Sequence, residues 1–189
     1  VSHNLGVAPE MIWVKKRNAI KDWMVATQFT SSGYERNYLN KTDASTSRTF
    51  PSAEISSQPT SSSFELNAFD IANGYGDDYI AYLFASLDGV SKVGSYDGTG
   101  GTNTQVIDCG FSAGARFVLL KRYNASGYDW QVFDTERGIT SGNDAKLALN
   151  STSAESTINW GINPNSSGFE VTGNGLNETG GSWIFYAIA

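Results

Sequence analysis

The sequence predicts an all-β protein, a β-sandwich of the lectin-like or jelly-roll type built from two homologous halves. Three observations predict it: an internal repeat, a composition rich in Gly, Ser, Thr and Asn, and the scarcity of helical periodicity. An amphipathic helix repeats apolar residues every three to four positions. Here Gly or Ser clusters interrupt every such pattern, whereas short runs typical of strands, separated by turn residues, recur along the chain.

The internal repeat relates residues 6–85 to residues 110–189. Each half has, in the same order, a glycine-led segment, an Asp-Trp strand pattern, a Leu-Asn step, a Phe-Glu pair and an aromatic-aliphatic closing run. The paired segments are GVAPEMIWVKKR and GFSAGARFVLLKR, DWMVATQ and DWQVFDT, LNKT and LNST, SSSFEL and SSGFEV, YIAYLFA and WIFYAIA. Repeats built from short strands are typical of scaffolds and binding surfaces.

We expect residues 1–189 to form a single sandwich domain in which residues 86–109 join the two repeats. Two repeats that share one sandwich would bury more surface than two isolated five-strand units. The joining segment is predicted to hold an ordered strand and hairpin, and the alternative is a flexible tether between two small domains. The chain opens within a strand-like segment, which indicates a fragment or a processed piece of a longer protein.

Strands are predicted in both halves, and the closing runs are the clearest. Both faces of YIAYLFA and of WIFYAIA are apolar, which predicts a central strand in each half. The predicted strands are 11–17, 22–29, 36–40, 64–66 and 79–85 in the first half, and 105–109, 116–122, 129–134, 146–150, 168–172 and 182–188 in the second.

Charge and composition exclude several classes of function. The chain has 189 residues and a formal charge of −6, and its basic residues cluster only at 15–17, so nucleic acid is not an expected partner. No apolar run of about 18 residues is present, so membrane insertion is not expected. The single cysteine, Cys109, permits no intrachain disulfide and is predicted to be a buried apolar residue.

The segments HNLGVAPEMIWVKKR, DYIAYLFASLDGVSKVGSYDGTGG, CGFSAGARFVLLKR, DWQVFDTERG, LALNSTSAES and SSGFEVTGNGLNETGGSWIFYAIA resemble a duplicated β-rich module of bacteriophage tail-fibre and appendage proteins, common in cyanophages and other marine phages. The resemblance covers nearly the whole chain. It implies an extracellular location on the virion surface, contacts with other virion subunits, and a homotrimer, since fibre proteins are usually trimers. It also implies a strand like KVGSYDGTG ahead of each module. The Ala113-Gly114 step departs from the proline usual in the family, so that turn is expected to differ.

The sequence contains few residues suited to catalysis, so we expect a protein that is not an enzyme and has no catalytic residues. The only histidine in the sequence is His3, and a Ser-His-Asp or Cys-His arrangement would have to use it. A zinc site needs several Cys or His ligands, and the sequence has one of each. The glycine-rich DGTGG from Asp97 has no phosphate-loop lysine and is predicted to be a hairpin turn.

An enzymatic alternative is a glycan depolymerase that uses paired carboxylates. The repeated Glu65 and Glu170 are its candidates. Their alternation with Phe64 and Phe169 favours instead an outward-facing acid beside a buried ring.

Calcium is the one cofactor for which candidate ligands exist. Asp77 and Asp78 follow the turn NGYG and could present carboxylate oxygens to the ion. Their spacing matches no EF-hand loop, and the alternative is a solvated turn. We expect no required cofactor, with these two aspartates as the calcium candidates.

Aromatic residues among polar turn residues are the main indication of a ligand. A ring can stack on a sugar while neighbouring polar groups bind its hydroxyls. The alternative is that these rings pack across loops or form a subunit interface. The candidate ligand-binding residues are Tyr75, Asp77, Asp78, Tyr96, Tyr123, Tyr128 and Trp160.

Other residues are predicted to be structural. Asp134 and Arg137 lie three apart in FDTERG and are expected to form an ion pair that holds a corner, the alternative being a contact to a ligand. Trp23 and Trp130 belong to the repeated strand motif. Asn40 and Asn150, also at matched positions, are expected to share a structural role such as closing a turn.

Taken together, these features predict a non-catalytic phage virion module that attaches to a host-surface glycan. A structural or decoration module without a ligand is the alternative, and a depolymerase is the third.

Overall fold

Antiparallel strands make up most of the regular structure in the computed structural model, which describes residues 1–100 and 104–189. The all-β fold class is therefore confirmed. The chain divides into two compact units, unit 1 (Val1–Ala85) and unit 2 (Ser86–Ala189). No helix in the described ranges has the length and apolarity needed to cross a bilayer.

Unit 1 contains one five-stranded antiparallel sheet with the order β4-β3-β2-β1-β5. Its strands are β1 (Met11–Lys16), β2 (Met24–Thr27), β3 (Gly33–Tyr38), β4 (Thr46–Thr49) and β5 (Tyr79–Phe84).

Alternation along the strands builds the core of unit 1. Ile12 and Val14 point to one face of β1 and pack with Met24 of β2. Ile55 and Phe64, from the chain between β4 and β5, close over this face and are almost fully buried. Each such side chain contributes about 1.5–3 kcal/mol through its removal from water.

Unit 2 contains a six-stranded sheet of order β11-β10-β9-β8-β14-β6 and a three-stranded sheet of order β12-β13-β7. Its elements are β6 (Ser91–Asp97), β7 (Gln105–Asp108), β8 (Phe117–Arg122), β9 (Gln131–Asp134), β10 (Asp144–Ala148), β11 (Ser156–Ile158), β12 (Ile162–Asn165), β13 (Gly168–Val171), α1 (Gly173–Leu176) and β14 (Ser182–Ile188).

The two sheets of unit 2 share one apolar core, which makes this unit a β-sandwich. Phe169 of the small sheet meets Phe185 of the large sheet edge to face, with ring centroids 5.4 Å apart. Tyr96 stacks on Trp183 within the same core, at 5.3 Å. Cys109 is buried there as predicted, and burial raises the pKa of its thiol to about 12.

The sheet of unit 1 and the large sheet of unit 2 have the same strand order. β4-β3-β2-β1-β5 matches β11-β10-β9-β8-β14, and β6 is an additional strand beyond β14. Cross-strand triplets occupy matched positions, namely Val25-Trp13-Tyr82 in unit 1 and Val132-Leu119-Tyr186 in unit 2. Homology of the two halves stays a prediction, which this shared order supports.

The structure confirms most predicted strands and corrects others. Residues 64–66 form no strand, although Leu66 makes a single bridge to Ile55 and the neighbouring Ser63 makes one to Ser2. The short polar strands β4 and β11, and the strand β12 with its proline, were not predicted because their sequences carry no apolar alternation.

The prediction that both closing runs are central strands is right for β14 and wrong for β5. β14 lies between β8 and β6, whereas β5 is the edge strand of its sheet as described. Two apolar faces indicate that other elements pack above and below the strand. They do not indicate that a neighbouring strand pairs with each of its edges.

The segment 86–109 is not a simple tether, because β6 and β7 form within it. The expected hairpin is absent from its described part: β6 pairs with β14, and β7 pairs with β13. Gly101, in the predicted DGTGG turn, lies outside the described residues. Each described sheet draws its strands from one unit only, and the single sandwich expected for residues 1–189 stays a prediction.

Candidate functional site

The Arg122 cluster of unit 2 brings together two of the predicted aromatic residues with charged groups. We define it as Arg122, Tyr123, Asn124, Tyr128 and Glu178. Arg122 is the last residue of β8 and pairs across the sheet with Trp183 of β14. The loop 123–128 follows it directly and returns towards β9.

Arg122 is the centre of this cluster. Its guanidinium lies over the Tyr128 ring at 4.5 Å and over the Trp183 ring at 5.5 Å. Nη1 donates to the Tyr128 hydroxyl at 2.6 Å and forms an ion pair with Glu178. Because its side chain is only 10% exposed, the guanidinium is held in one orientation.

Asn124 fixes the loop to the chain before β14. Its amide donates to the Gly180 carbonyl at 2.7 Å, and its oxygen accepts from the Ser182 amide at 3.0 Å. The Tyr123 amide also donates to the Ser182 carbonyl. The loop therefore carries its polar groups on a rigid support.

The cluster offers what a hydroxylated ligand needs. The Glu178 side chain is 46% exposed and supplies acceptor oxygens, while Asn124 is exposed and Tyr123 half-buried. A partly covered ring beside fixed donors and acceptors can offer both stacking and hydrogen bonds to a polar molecule.

The Lys16 cluster, defined as Lys16, Lys21, Asp70 and Asp77, occupies the matched place in unit 1. Lys16 ends β1 and pairs with Tyr79, as Arg122 pairs with Trp183. Its Nζ donates to both aspartates at 2.6 Å, and Lys21 also pairs with Asp70. These contacts raise the pKa of Lys16, and the hydrogen bond from Lys16 lowers the pKa of Asp70.

The 73–78 turn carries three predicted site residues, one of which, Asp77, belongs to this cluster. Tyr75 is fully exposed. The Asp77 carboxylate is bound to Lys16 and so faces a cation already, while Asp78 is exposed. No group of three His, Cys, Asp or Glu suited to a metal ion occurs in the described part of the chain.

Two predicted ligand-binding aromatics have other environments. Tyr96 is a core residue of β6, 8% exposed, and its hydroxyl donates to the Leu176 carbonyl. The prediction that Tyr96 is a loop residue open to a ligand is wrong, because its polar neighbours belong to an edge strand. Trp160 packs against the core of unit 2 with Lys146 Nζ 5.3 Å from its ring centroid.

The ion pair predicted between Asp134 and Arg137 is confirmed. Asp134 and Arg137 form an ion pair, and Asp134 Oδ1 accepts from the Arg137 amide at 2.9 Å, which closes the corner after β9. Trp130 is fully buried and Trp23 is half-buried.

The repeated glutamates behave as the alternation predicts. Phe64 and Phe169 are buried, Glu65 is exposed and Glu170 is half-buried. Serine hydroxyls bind Glu65, and an asparagine amide binds Glu170. The two glutamates lie in different units.

A polar pocket of about 270 Å³ lies in unit 1 beside a buried ionic network. Glu54, which is 2% exposed, binds Arg36 at 2.5 Å and Arg48 at 2.9 Å and accepts from the Tyr34 hydroxyl at 2.8 Å. Burial opposes ionisation of Glu54, but these partners outweigh it and lower its pKa. The pocket is lined by Gln28, Thr30, Ser32, Gly33, Tyr34, Glu35, Ser47, Arg48 and Thr49.

Unit 2 contains a pocket of about 350 Å³ at the Ala113-Gly114 turn. Arg116 is the one charged residue of its lining, which consists of Ala113, Gly114, Ala115, Arg116, Thr135, Ile139, Pro164, Asn165 and Ser166.

Sequence reasoning did not single out Arg122, Glu178, Lys16 or Asp70. The available signal was the pair of cations that end MIWVKK and FVLLKR at matched positions. Their acidic partners, 54 to 61 residues away for Lys16 and 56 for Arg122, carry no local signature.

The fold and these clusters define an all-β, antiparallel protein with a polar-aromatic cluster in unit 2. The chain belongs to the family described as Domain of unknown function (DUF7483), whose model matches residues 1–189. No curated protein and no solved structure matches the chain.

Proposed function

We propose that the chain is a non-catalytic module of a phage virion surface, from a tail fibre or similar appendage, that attaches to a glycan on the host cell. The virion context rests on the resemblance of the repeated segments to tail-fibre modules. By the same resemblance the module would contact other virion subunits and assemble as a homotrimer. The observation that carries the binding role is the Arg122 cluster.

The cluster favours binding because its groups are fixed before a ligand arrives. Arg122 is held by Tyr128 and Glu178, and Asn124 ties the loop to residues 180–182. A site organised in advance loses little side-chain entropy when it binds. Tyr123 and Tyr75 add rings in positions that solvent reaches.

The two aspartates of the Lys16 cluster favour binding over hydrolysis. Asp70 and Asp77 both contact Lys16 Nζ, and the ion pair keeps the pKa of Asp70 low. Hydrolysis of a glycosidic bond needs one carboxyl with a raised pKa to donate a proton to the leaving group. The contacts with Lys16 and Lys21 keep Asp70 in its ionised form, in which it has no proton to donate.

The test is a glycan-array and whole-cell binding screen of the purified chain, run with calcium and with a chelator. We expect saturable binding that Tyr123→Ala and Glu178→Gln each weaken by about three- to ten-fold, because a stacked ring or a hydrogen bond is worth about 1 kcal/mol. Tyr75→Ala separately tests the exposed ring of unit 1. Loss of binding in the chelator would assign calcium a role.

Val106→Ala is the matched control, since this side chain is 51% exposed and lies outside the Arg122 cluster. Equal binding by this variant and the unmodified chain is expected. A folded chain that binds no glycan and no host cell would contradict the proposal and leave a packing role in the virion. Binding that survives both cluster variants would contradict the site.

A further inference from the structure

The free edge of β5 is the position at which the two units differ. In each unit the closing strand pairs on one side with the first strand of the shared order, β5 with β1 and β14 with β8. β14 is covered on its other side by β6 over seven residue pairs. Within the described residues, no strand pairs with the corresponding side of β5.

The hydrogen-bond alternation shows which backbone groups face this edge. The Arg17 amide donates to the Asp78 carbonyl at 2.7 Å. In an antiparallel ladder the bonded positions recur every second residue, so Ile80 and Tyr82 bond to β1. The amides and carbonyls of Tyr79, Ala81 and Leu83 therefore point away from β1, to the open side.

The same alternation places the matched groups of β14 in contact with β6. The Gly98 amide donates to the Gly181 carbonyl and the Ala189 amide donates to the Val90 carbonyl, both at 2.9 Å. Residues 183, 185 and 187 thus bond to β6. They are the counterparts of residues 79, 81 and 83. In unit 2, therefore, β6 pairs with the edge that corresponds to the open edge of β5.

Nothing in the sequence of β5 protects the edge. Sheet edges are usually blunted by Lys, Pro, a bulge or a very short strand. YIAYLF contains no charge and no proline, spans six residues, and pairs with β1 without interruption. Ala81 is exposed and Tyr82 is 43% exposed, so solvent reaches both faces of the strand.

The side chains of β5 suit a strand with the pattern of β6. Tyr96 of β6 stacks on Trp183, and Tyr79 offers a ring at the matched position. Gly94 lies opposite Phe185, whose ring leaves no room for a β-carbon. Ala81 takes the place of Phe185, so the incoming strand can carry a larger residue there.

We propose that the β5 edge binds an extended segment of another polypeptide chain with the β6 pattern, an aromatic residue opposite Tyr79 and a small or medium residue opposite Ala81. The segment adds as an antiparallel strand beside β5, so backbone hydrogen bonds supply affinity and the aromatic contact sets the register. This edge shares no residue with the Arg122 cluster, and the proposal does not depend on glycan binding.

The test uses the full chain and a synthetic peptide with the sequence of residues 88–99. Hydrogen exchange of single amides is expected to slow at Tyr79, Ala81 and Leu83, and to stay unchanged at β14. A peptide with Gly94→Pro should lose at least about ten-fold in binding, because this N–H faces the edge. A peptide with Ser95→Pro is the matched control, since its N–H points away.

A second form of the experiment tests whether weak affinity explains an absence of protection by the free peptide. The same peptide is fused ahead of Val1 through a flexible Gly-Ser linker, which raises its effective concentration to the millimolar range. We expect protection of the same three amides, lost with Gly94→Pro in the fused strand. The variant Ala81→Pro of the chain should also abolish binding of the peptide. If this variant fails to fold, the comparison of the Gly94→Pro and Ser95→Pro peptides still tests the proposal.

Three results would overturn the proposal. The first is an unprotected β5 edge in the fused protein. The second is protection that appears at β14 instead, by exchange with β6. The third is self-association through β5, measured by sedimentation, that the peptide does not reverse; this would make a second copy of the same strand the occupant.

Discussion

Asn40 and Asn150 make the same two contacts in their respective units. The side-chain oxygen accepts from the amide of a tryptophan, at 2.9 Å for Asn40 and 2.7 Å for Asn150, and the side-chain nitrogen donates to the preceding aspartate. The shared structural role predicted for these two positions is confirmed. The matched contacts also show that the Leu-Asn step ties the end of one strand to the start of its neighbour.

Asn150→Ala is predicted to destabilise unit 2 by about 1–3 kcal/mol, because it leaves the Trp130 amide without its partner beside a buried ring. Asn40→Ala should cost less, since the contacts of Asn40 are exposed to water. Urea denaturation followed by hydrogen exchange in each unit measures both. Equal costs at the two positions would contradict the dependence on burial.

Glu54 makes the stability of unit 1 depend on pH. Its pKa lies below the ordinary value of 4.5 because its hydrogen-bond and ionic partners outweigh burial. A carboxyl whose folded-state pKa is lowered stabilises the fold above its unfolded-state pKa. It loses that contribution as the pH falls through the folded-state value.

Glu54→Gln is predicted to lower the free energy of unfolding of unit 1 by about 3 kcal/mol at pH 7, because Arg36 and Arg48 lose their buried partner. The difference from the unmodified chain should begin to shrink as the pH falls below the unfolded-state pKa of about 4.5. It should shrink further as the pH falls through the lower folded-state pKa, where Glu54 is protonated in the fold as well. Denaturation curves between pH 7 and pH 3 measure this difference. If the difference in free energy of unfolding stayed constant from pH 7 to pH 3, Glu54 would not be the source of the pH dependence.

Strand β6 depends on the absence of a side chain at Gly94. A β-carbon built there meets the Phe185 ring at 2.6 Å, and Phe185 is 3% exposed and cannot move aside freely. The sequence GSY therefore indicates close packing within a strand as well as a turn. This explains why Tyr96 was predicted to lie in a loop, since glycine and serine are typical of both settings.

Gly94→Ala is expected to destabilise unit 2 by about 1–3 kcal/mol through overpacking. Combining it with Phe185→Leu should cost less than the sum of the two single changes, because the smaller side chain makes room for the added methyl group. Thermal unfolding of the four proteins of the cycle measures the coupling. The exposed neighbour Ser95→Ala is the control, and strict additivity would show that Phe185 does not impose the glycine.

At the scale of elements, the apolar runs predicted β1, β2, β8, β9 and β14 because strands that are buried on a face carry an apolar alternation. They did not predict β4 or β11, whose residues are mostly exposed and polar. Nor could the sequence predict which closing strand has two neighbours. That difference depends on β6, which pairs with residues some 90 positions away.

At the scale of the whole chain, each unit has its own apolar core. Phe64 belongs to the core of unit 1 and Phe169 to that of unit 2, and both are 1% exposed. The repeat predicted the matched positions of these rings. It could not predict whether the two cores unfold together, because cooperativity depends on contacts that no local pattern encodes.

Phe64→Ala and Phe169→Ala are predicted each to cost about 3–5 kcal/mol and to reduce hydrogen-exchange protection within their own unit. Native-state exchange in low urea measures this unit by unit. A loss of protection that spreads equally through residues 1–189 in both variants would instead support the single cooperative sandwich expected from the repeat.

The place of β14 in its sheet has a consequence for synthesis on the ribosome. β6 and β8 are made first, yet they lie on opposite sides of β14 and pair with it rather than with each other. The large sheet of unit 2 therefore remains divided until residues 182–188 have left the exit tunnel. Until then β8 can pair with β9 on one side only, and β6 has no partner strand within the described sheet. Unit 1 has all its described strands by residue 84, so it can fold while unit 2 still needs protection from aggregation.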